Sequence, residues 1–271
     1  MQKSISFKKA NISFSDVGKG PTVVLIHGFL ENATMWNDIT PHLTTKNRVI
    51  TIDLLGHGKS DCLGYLHSME LFAESIDVIL KHLRIRKCTL IGHSLGGYVA
   101  LAFAEKHPQK VKGLCLLNST SNEDSVERKE LRARANKMVQ TNFTNMVRMS
   151  FVNLFGPTSK ERYKNEINLA LQEALQTPIQ GYLAANEGMR IRPNRNHVLA
   201  NNTFKKLLVI GEKDPVLDYK TSLAEAKKTN TELVIFKNGH MSHIENKEEL
   251  LQVLKGFILD FLNLKYVKQT L

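Results

Sequence analysis

Gly92-His93-Ser94-Leu95-Gly96 sets a serine between two glycines, where an apolar run gives way to an amphipathic stretch. A hydroxyl is a poor nucleophile at neutral pH, so serine chemistry needs a base in reach and donors for the charge that grows on an attacked carbonyl. The G-x-S-x-G spacing provides a tight strand-to-helix turn with Ser94 at its tip, and the free amides at the helix start, Leu95 first, suit an anionic oxygen. The same pentapeptide also fits a glycine-lined helix entry with an inert serine, so the rest of the chain has to supply the other parts.

Ten histidines compete for the role of base. His42, His67, His82 and His107 fall on or near helical stretches at positions expected to be solvated. His57 belongs to the turn DLLGHGKSD, and His27 precedes a turn, where a structural hydrogen-bonding role is expected. His240 follows the run TELVIF through a short loop ahead of the last helix, with Gly239 giving that loop freedom; His243 is its rival three residues on. The carboxylate that would orient the imidazole is Asp214 in LLVIGEKDPV, stiffened by Pro215, with Glu212, Asp218, Glu123 and Asp124 as alternatives. A second oxyanion donor is expected at the Phe29 amide, because TVVLIH runs into His27-Gly28-Phe29 and Gly28 lets the backbone turn inward. Trp36 reads as packing.

These residues need a scaffold that brings distant points of the chain to one edge. SISFKK and NISFSDVG alternate like the strands of an antiparallel hairpin. Continuous apolar runs follow at 22–27, 48–53, 87–92, 111–118, 205–211 and 231–236, as expected for strands buried on both faces of a parallel sheet. Helical periodicity at 69–83, 95–107 and 246–262 completes a doubly wound α/β plan. From 121 to 202 there are instead helix-like pieces, at 124–150, 159–175 and 178–189. They predict a helical lobe inserted between two strands over the sheet's carboxyl edge, where open α/β sheets bind ligands. The expected division is a core of 1–120 and 203–271 with the lobe at 121–202.

With HGF, DLLGHGKS, GHSLGG and GEKDPV in this order, and Ser94, Asp214 and His240 in the order Ser, Asp, His, the chain resembles the α/β-hydrolase-fold superfamily, from about Pro21 to Leu262. The resemblance implies a serine hydrolase with a helical cap, using Ser94, His240 and Asp214 with the Phe29 and Leu95 amides in acyl transfer, and needing neither a metal nor an organic cofactor. Related dehalogenases and epoxide hydrolases use an aspartate nucleophile, which Ser94 disfavours. Small carboxylic esters are the first expectation. A carbon–carbon bond hydrolase or pyruvate-eliminating synthase is a second reading, which would need arginines aimed at substrate carboxylates, and a non-enzymatic small-molecule receptor is a third.

Composition sets the outer limits. Charge is +11, from 37 Lys and Arg against 26 Asp and Glu, but the lysines are scattered and no nucleic-acid motif accompanies them, so a basic surface without a nucleic-acid partner is expected. Apolar runs are strand-sized, short of the roughly 20 residues that cross a bilayer, and the start lacks a signal-peptide pattern, which points to the cytoplasm. Cys62, Cys88 and Cys115 have neither metal-ligand spacing nor an even count, and read as reduced packing residues. The interval 121–202 mixes arginines with apolar residues. From these a substrate-binding set of Arg132, Arg134, Phe143, Met146, Met189 and Arg190 is expected, with a greasy inner face and a positive rim. The sequence leaves the oligomeric state open.

Overall fold

The computed structural model describes residues 2–259; the expected extension of the last helix to Leu262 lies outside them. β1 (Gln2–Phe7) and β2 (Ala10–Gly18) pair antiparallel around the two-residue turn Lys8-Lys9. Both turn residues have positive φ, as the twist of a tight hairpin demands. There follow β3 (Thr22–Ile26), α1 (Thr40–Leu43), β4 (Arg48–Ile52), α2 (Met69–His82), β5 (Cys88–His93), α3 (Leu95–Lys106) and β6 (Val111–Leu117). Five helices fill the interval before the next strand: α4 (Val126–Val152), α5 (Pro157–Arg162), α6 (Lys164–Leu175), α7 (Ile179–Ile191) and α8 (Asn196–Asn201). β7 (Lys205–Gly211), α9 (Tyr219–Thr229), β8 (Glu232–Phe236), α10 (Ser242–Glu245) and α11 (Lys247–Ile258) complete the described chain.

The eight strands form one sheet in the order β1-β2-β4-β3-β5-β6-β7-β8, parallel from β4 onward. Apolar runs become strands here because both faces are covered. Val24 and Ile26 pack with Leu90, Phe72 of α2 and Phe103 of α3, while Val23 and Leu25 pack with Ile91, Cys115 and Phe257 of α11. β3 lies between β4 and β5, so the chain leaves it toward one side and later returns to the other. Such a reversal opens a crevice at the strands' carboxyl ends, and the loops after β3 and β5 flank it.

The inserted helices make a third cluster, in which Val139, Val147, Phe151, Ile167 and Tyr182 pack together and against Leu30, Met241 and Ile244 from the sheet edge. α4 is bent, with non-helical backbone at Asn142 (φ −144°, ψ 53°). The expected helix at 159–175 is two, α5 and α6, parted at Tyr163. Two histidines depart from expectation: His107 is half-buried against Phe103, and His67 is fully buried, its Nε2 accepting the Leu63 N–H at 3.1 Å. Burial pushes its pKa down to about 4. Cys88 and Cys115 are buried free thiols, and Cys62 is half-buried. No helix among the described residues is long and apolar enough to cross a membrane.

Candidate active site

β5 delivers Ser94 to the head of α3 with φ 49° and ψ −113°, backbone that L residues rarely adopt. Hydrogen bonds hold it there: its N–H donates to the Leu117 carbonyl at 2.9 Å, and its own carbonyl accepts from Gly97 N–H at 3.0 Å and Ser119 Oγ at 2.7 Å. The turn brings α3 so close to the end of β3 that a Cβ at Gly96 would lie 2.3 Å from the Ile26 carbonyl oxygen. Only glycine fits at that contact.

From the loop after β8, His240 reaches the same point. Its Nε2 is 3.0 Å from Ser94 Oγ and its Nδ1 is 2.8 Å from Asp214 Oδ2. Asp214, on the loop after β7, is itself pinned, its Oδ1 accepting from the amides of Val216 (2.7 Å) and Leu217 (3.0 Å). Burial works against its ionisation, but the adjacent His240 and these amides outweigh that and hold its carboxyl below the usual range. Asn118 Nδ2 ties the two loops together, donating to Asp214 Oδ2 at 3.2 Å and to the Gly239 carbonyl at 3.1 Å. Sequence reasoning gave no weight to Asn118.

Phe29, after β3, lines the same cavity as Ser94, and Leu95, first residue of α3, follows Ser94 in the chain. Neither of their amides donates to a protein acceptor among the described residues. The Phe29 loop is braced from behind, because Glu31 Oε2 accepts the Gly28 N–H at 2.7 Å and also faces His93 Nδ1 at 2.6 Å. The other ring nitrogen of His93 faces the His240 carbonyl oxygen at 3.0 Å. Both partners are acceptors, so both nitrogens carry protons and His93 is an imidazolium paired with Glu31. Burial opposes that charge, yet the carboxylate leaves the His93 pKa raised, while Glu31, also buried, is held down to about 2 by His93. The pair therefore links the Phe29 loop to the His240 loop. Glu31, His93 and His243 bring ligand atoms within 4.8 Å of one another, but a doubly protonated His93 has no lone pair to give a metal. His243 is directed at Glu31, with Nε2 3.7 Å from Oε1, and burial pushes its pKa down to about 4.

Ser94 and His240 open into a cavity of about 330 Å³ between the sheet edge and the inserted helices. Of the substrate-binding set expected from the sequence, Arg132 and Met189 line it. Arg134, Phe143, Met146 and Arg190 are not among the lining residues. Arg134 is exposed and pairs with Glu130 one turn away, and Arg190 pairs with Glu187. Phe143 packs edge-on against Tyr182, and Met146 is half-buried on the same bent helix. Tyr98, Arg128 and Tyr182 line the cavity without having been expected to. Arg128 lies in the same basic stretch as Arg132, one helical turn earlier, which was its available signal. The competing carboxylate Asp124 is taken up by arginines, with Arg132 Nε donating to it at 2.5 Å.

A family profile described as alpha/beta hydrolase fold matches residues 21–247. An uncharacterized protein from Mycobacterium tuberculosis is 41% identical over 107 residues, covering 40% of this chain and 31% of that protein, so the match spans about a third of the relative's length. The 3-oxoadipate enol-lactonase 1 of Acinetobacter baylyi is 26% identical, with 93% of each chain covered. Among solved structures, a thermophilic esterase from Thermogutta terrifontis with malate bound is similar at a TM-score of 0.90 and 28% identity, over 96% of this chain and 99% of its own.

Proposed function

Because the chain belongs to the alpha/beta hydrolase fold family, we propose that it is a serine hydrolase that cleaves a small carboxylic ester through an acyl-enzyme. The observation that carries this reading is the line of hydrogen bonds from Ser94 Oγ through His240 to Asp214, at 3.0 and 2.8 Å. Ser94 Oγ attacks the ester carbonyl as His240 Nε2 takes its proton; Asp214 fixes the Nδ1–H tautomer and stabilises the imidazolium. The Phe29 and Leu95 amides receive the oxyanion, the alcohol leaves with the proton from His240, and water then releases the acid by the same route. In this reading residues 121–202 are a cap over a core of 1–120 and 203–271, and no metal or organic cofactor takes part.

Labelling with a fluorophosphonate, mapped by peptide mass, tests the nucleophile, together with phenol release from short aryl esters. Modification at Ser94 with matching loss of turnover is expected. Absence of both labelling and turnover would remove the reading. The carbon–carbon bond hydrolase or synthase alternative uses the same three side chains and is favoured by one observation, the arginines at the cavity wall. Turnover of keto-acid substrates in preference to esters would select it.

A further inference from the structure

Three guanidinium groups converge on one buried carboxylate beside the cavity. The Asp124 side chain is 1% exposed; Arg132 Nε donates to its Oδ2 at 2.5 Å, Arg192 Nη1 lies 2.8 Å from Oδ1 and Arg128 Nε 3.7 Å from Oδ1. The three are otherwise held by neutral dipoles. Arg132 Nη1 donates to Asn186 Oδ1 at 3.0 Å, and Arg128 Nη1 to the Val216 carbonyl at 3.0 Å. Arg192 donates to the carbonyls of Met189 (2.8 Å) and Asn122 (3.2 Å) and stacks 3.9 Å from the centre of the Tyr98 ring.

Three positive charges against one negative is a poor balance for a partly buried site, since a buried cation is costly unless paired. Among the described residues the cavity supplies no further anion of its own: Glu31, the acidic residue in its lining, is already committed to His93. Burial accordingly lowers the Arg132 pKa, even with Asp124 against it. The remaining wall is apolar, including Leu131, Ala135, Phe151, Leu154 and Met189. The site is thus a greasy chamber with the Ser94 and His240 pair in one wall and excess guanidinium in another.

We propose that the substrate carries a second, non-reacting carboxylate, which settles on Arg132 and Arg128 while its ester carbonyl meets Ser94. This inference rests on the ester-hydrolase reading above and adds the class of ester. A carboxylate suits the sites because its two oxygens match the planar guanidinium edge, and because it completes a charge balance that the protein leaves open. The anion can sit on the acyl side, as in a dicarboxylic acid monoester, or on the alcohol side.

Three esters that share a six-carbon acyl chain and a phenol leaving group separate these cases: phenyl hexanoate, monophenyl adipate and 4-(hexanoyloxy)benzoate. One of the two anionic esters is expected to exceed phenyl hexanoate in kcat/KM, and which one identifies the side that carries the charge. Arg132→Gln should lower the anionic-to-neutral ratio of kcat/KM at least about tenfold, the value of one charge-assisted hydrogen bond. Arg128→Gln, at a side chain 38% exposed, should lower it in the same direction and keeps the test open if Arg132→Gln does not fold. Calorimetric binding of the preferred anionic ester to Ser94→Ala gives a readout independent of turnover. An unchanged ratio in both arginine variants, or equal binding of neutral and anionic esters to Ser94→Ala, would overturn the proposal while leaving the hydrolase reading intact. No turnover of any of the three by the unaltered protein, with no binding to Ser94→Ala, would count against both.

Discussion

Asp214 and Asp124 are both buried carboxylates beside one cavity, and they are held in opposite ways. Asp214 sits on a strand-end loop where two backbone amides and Asn118 fix its oxygens, with His240 Nδ1 as the ring atom that faces it. Asp124 sits at the start of a long helix, where Arg128, Arg132 and Arg192 crowd around it. Backbone donors fix direction, so the first site holds one imidazole in one orientation. Side-chain cations fix charge, so the second sets the electrical character of the chamber without dictating the position of a reacting atom. In the proposed hydrolase the sheet edge performs the chemistry and the inserted helices choose what enters.

The largest expected effect breaks the first region alone. Ser94→Ala and His240→Ala should each lower kcat by about 10⁴-fold or more, and the double variant should be little worse than either, because the two act as a unit. His243→Ala, whose side chain faces Glu31, should keep most of the activity; if its loss matched that of His240→Ala in steady-state assays, the base would have to be reassigned. Asp214→Asn should cost roughly 10³–10⁴-fold, through the wrong imidazole tautomer. Circular dichroism that still reads native would keep the deficit in the chemistry. Next in size comes the roughly tenfold selectivity change at Arg132, which touches the second region.

A smaller effect concerns the brace between the loops. The His93 pKa is raised in the fold, so its pairing with Glu31 contributes stability that is fully present below the unfolded-state histidine value and is lost as pH rises through the raised one. At the acid end the same pair fails as pH falls toward the Glu31 value of about 2. Urea midpoints followed from neutral to alkaline pH should therefore decline, and His93→Asn should flatten that decline. An identical slope in the variant would show that His93 is not the titrating group.

What the sequence disclosed follows from where its signals are strong. Strands covered on both faces leave continuous apolar runs, so the six parallel strands were legible to within a residue or so at each end. That Ser94, His240 and Asp214 meet at one edge was legible because each ends or follows such a strand. The cavity wall was not. α4 runs for 27 residues with Val139, Val147 and Phe151 as its buried positions and a break at Asn142, so no steady periodicity marks the face turned inward. Arg134 was therefore expected inside and is exposed, while Arg128 was passed over. The Glu31 and His93 brace was invisible for a different reason: its partners are 62 residues apart, and neither lies in a pattern that implies the other.

The backbone at Ser94 has a further consequence. Its left-handed φ of 49° stores strain of about 1–3 kcal/mol in a non-glycine residue, whereas glycine would relax that strain at an entropic cost of about 1 kcal/mol or less. Ser94→Gly should accordingly melt at or above the temperature of the native protein while being inert toward esters, as paired calorimetry and activity assays would register. At this one position durability and reactivity pull apart, and selection for a long-lived fold alone would favour glycine over the hydroxyl.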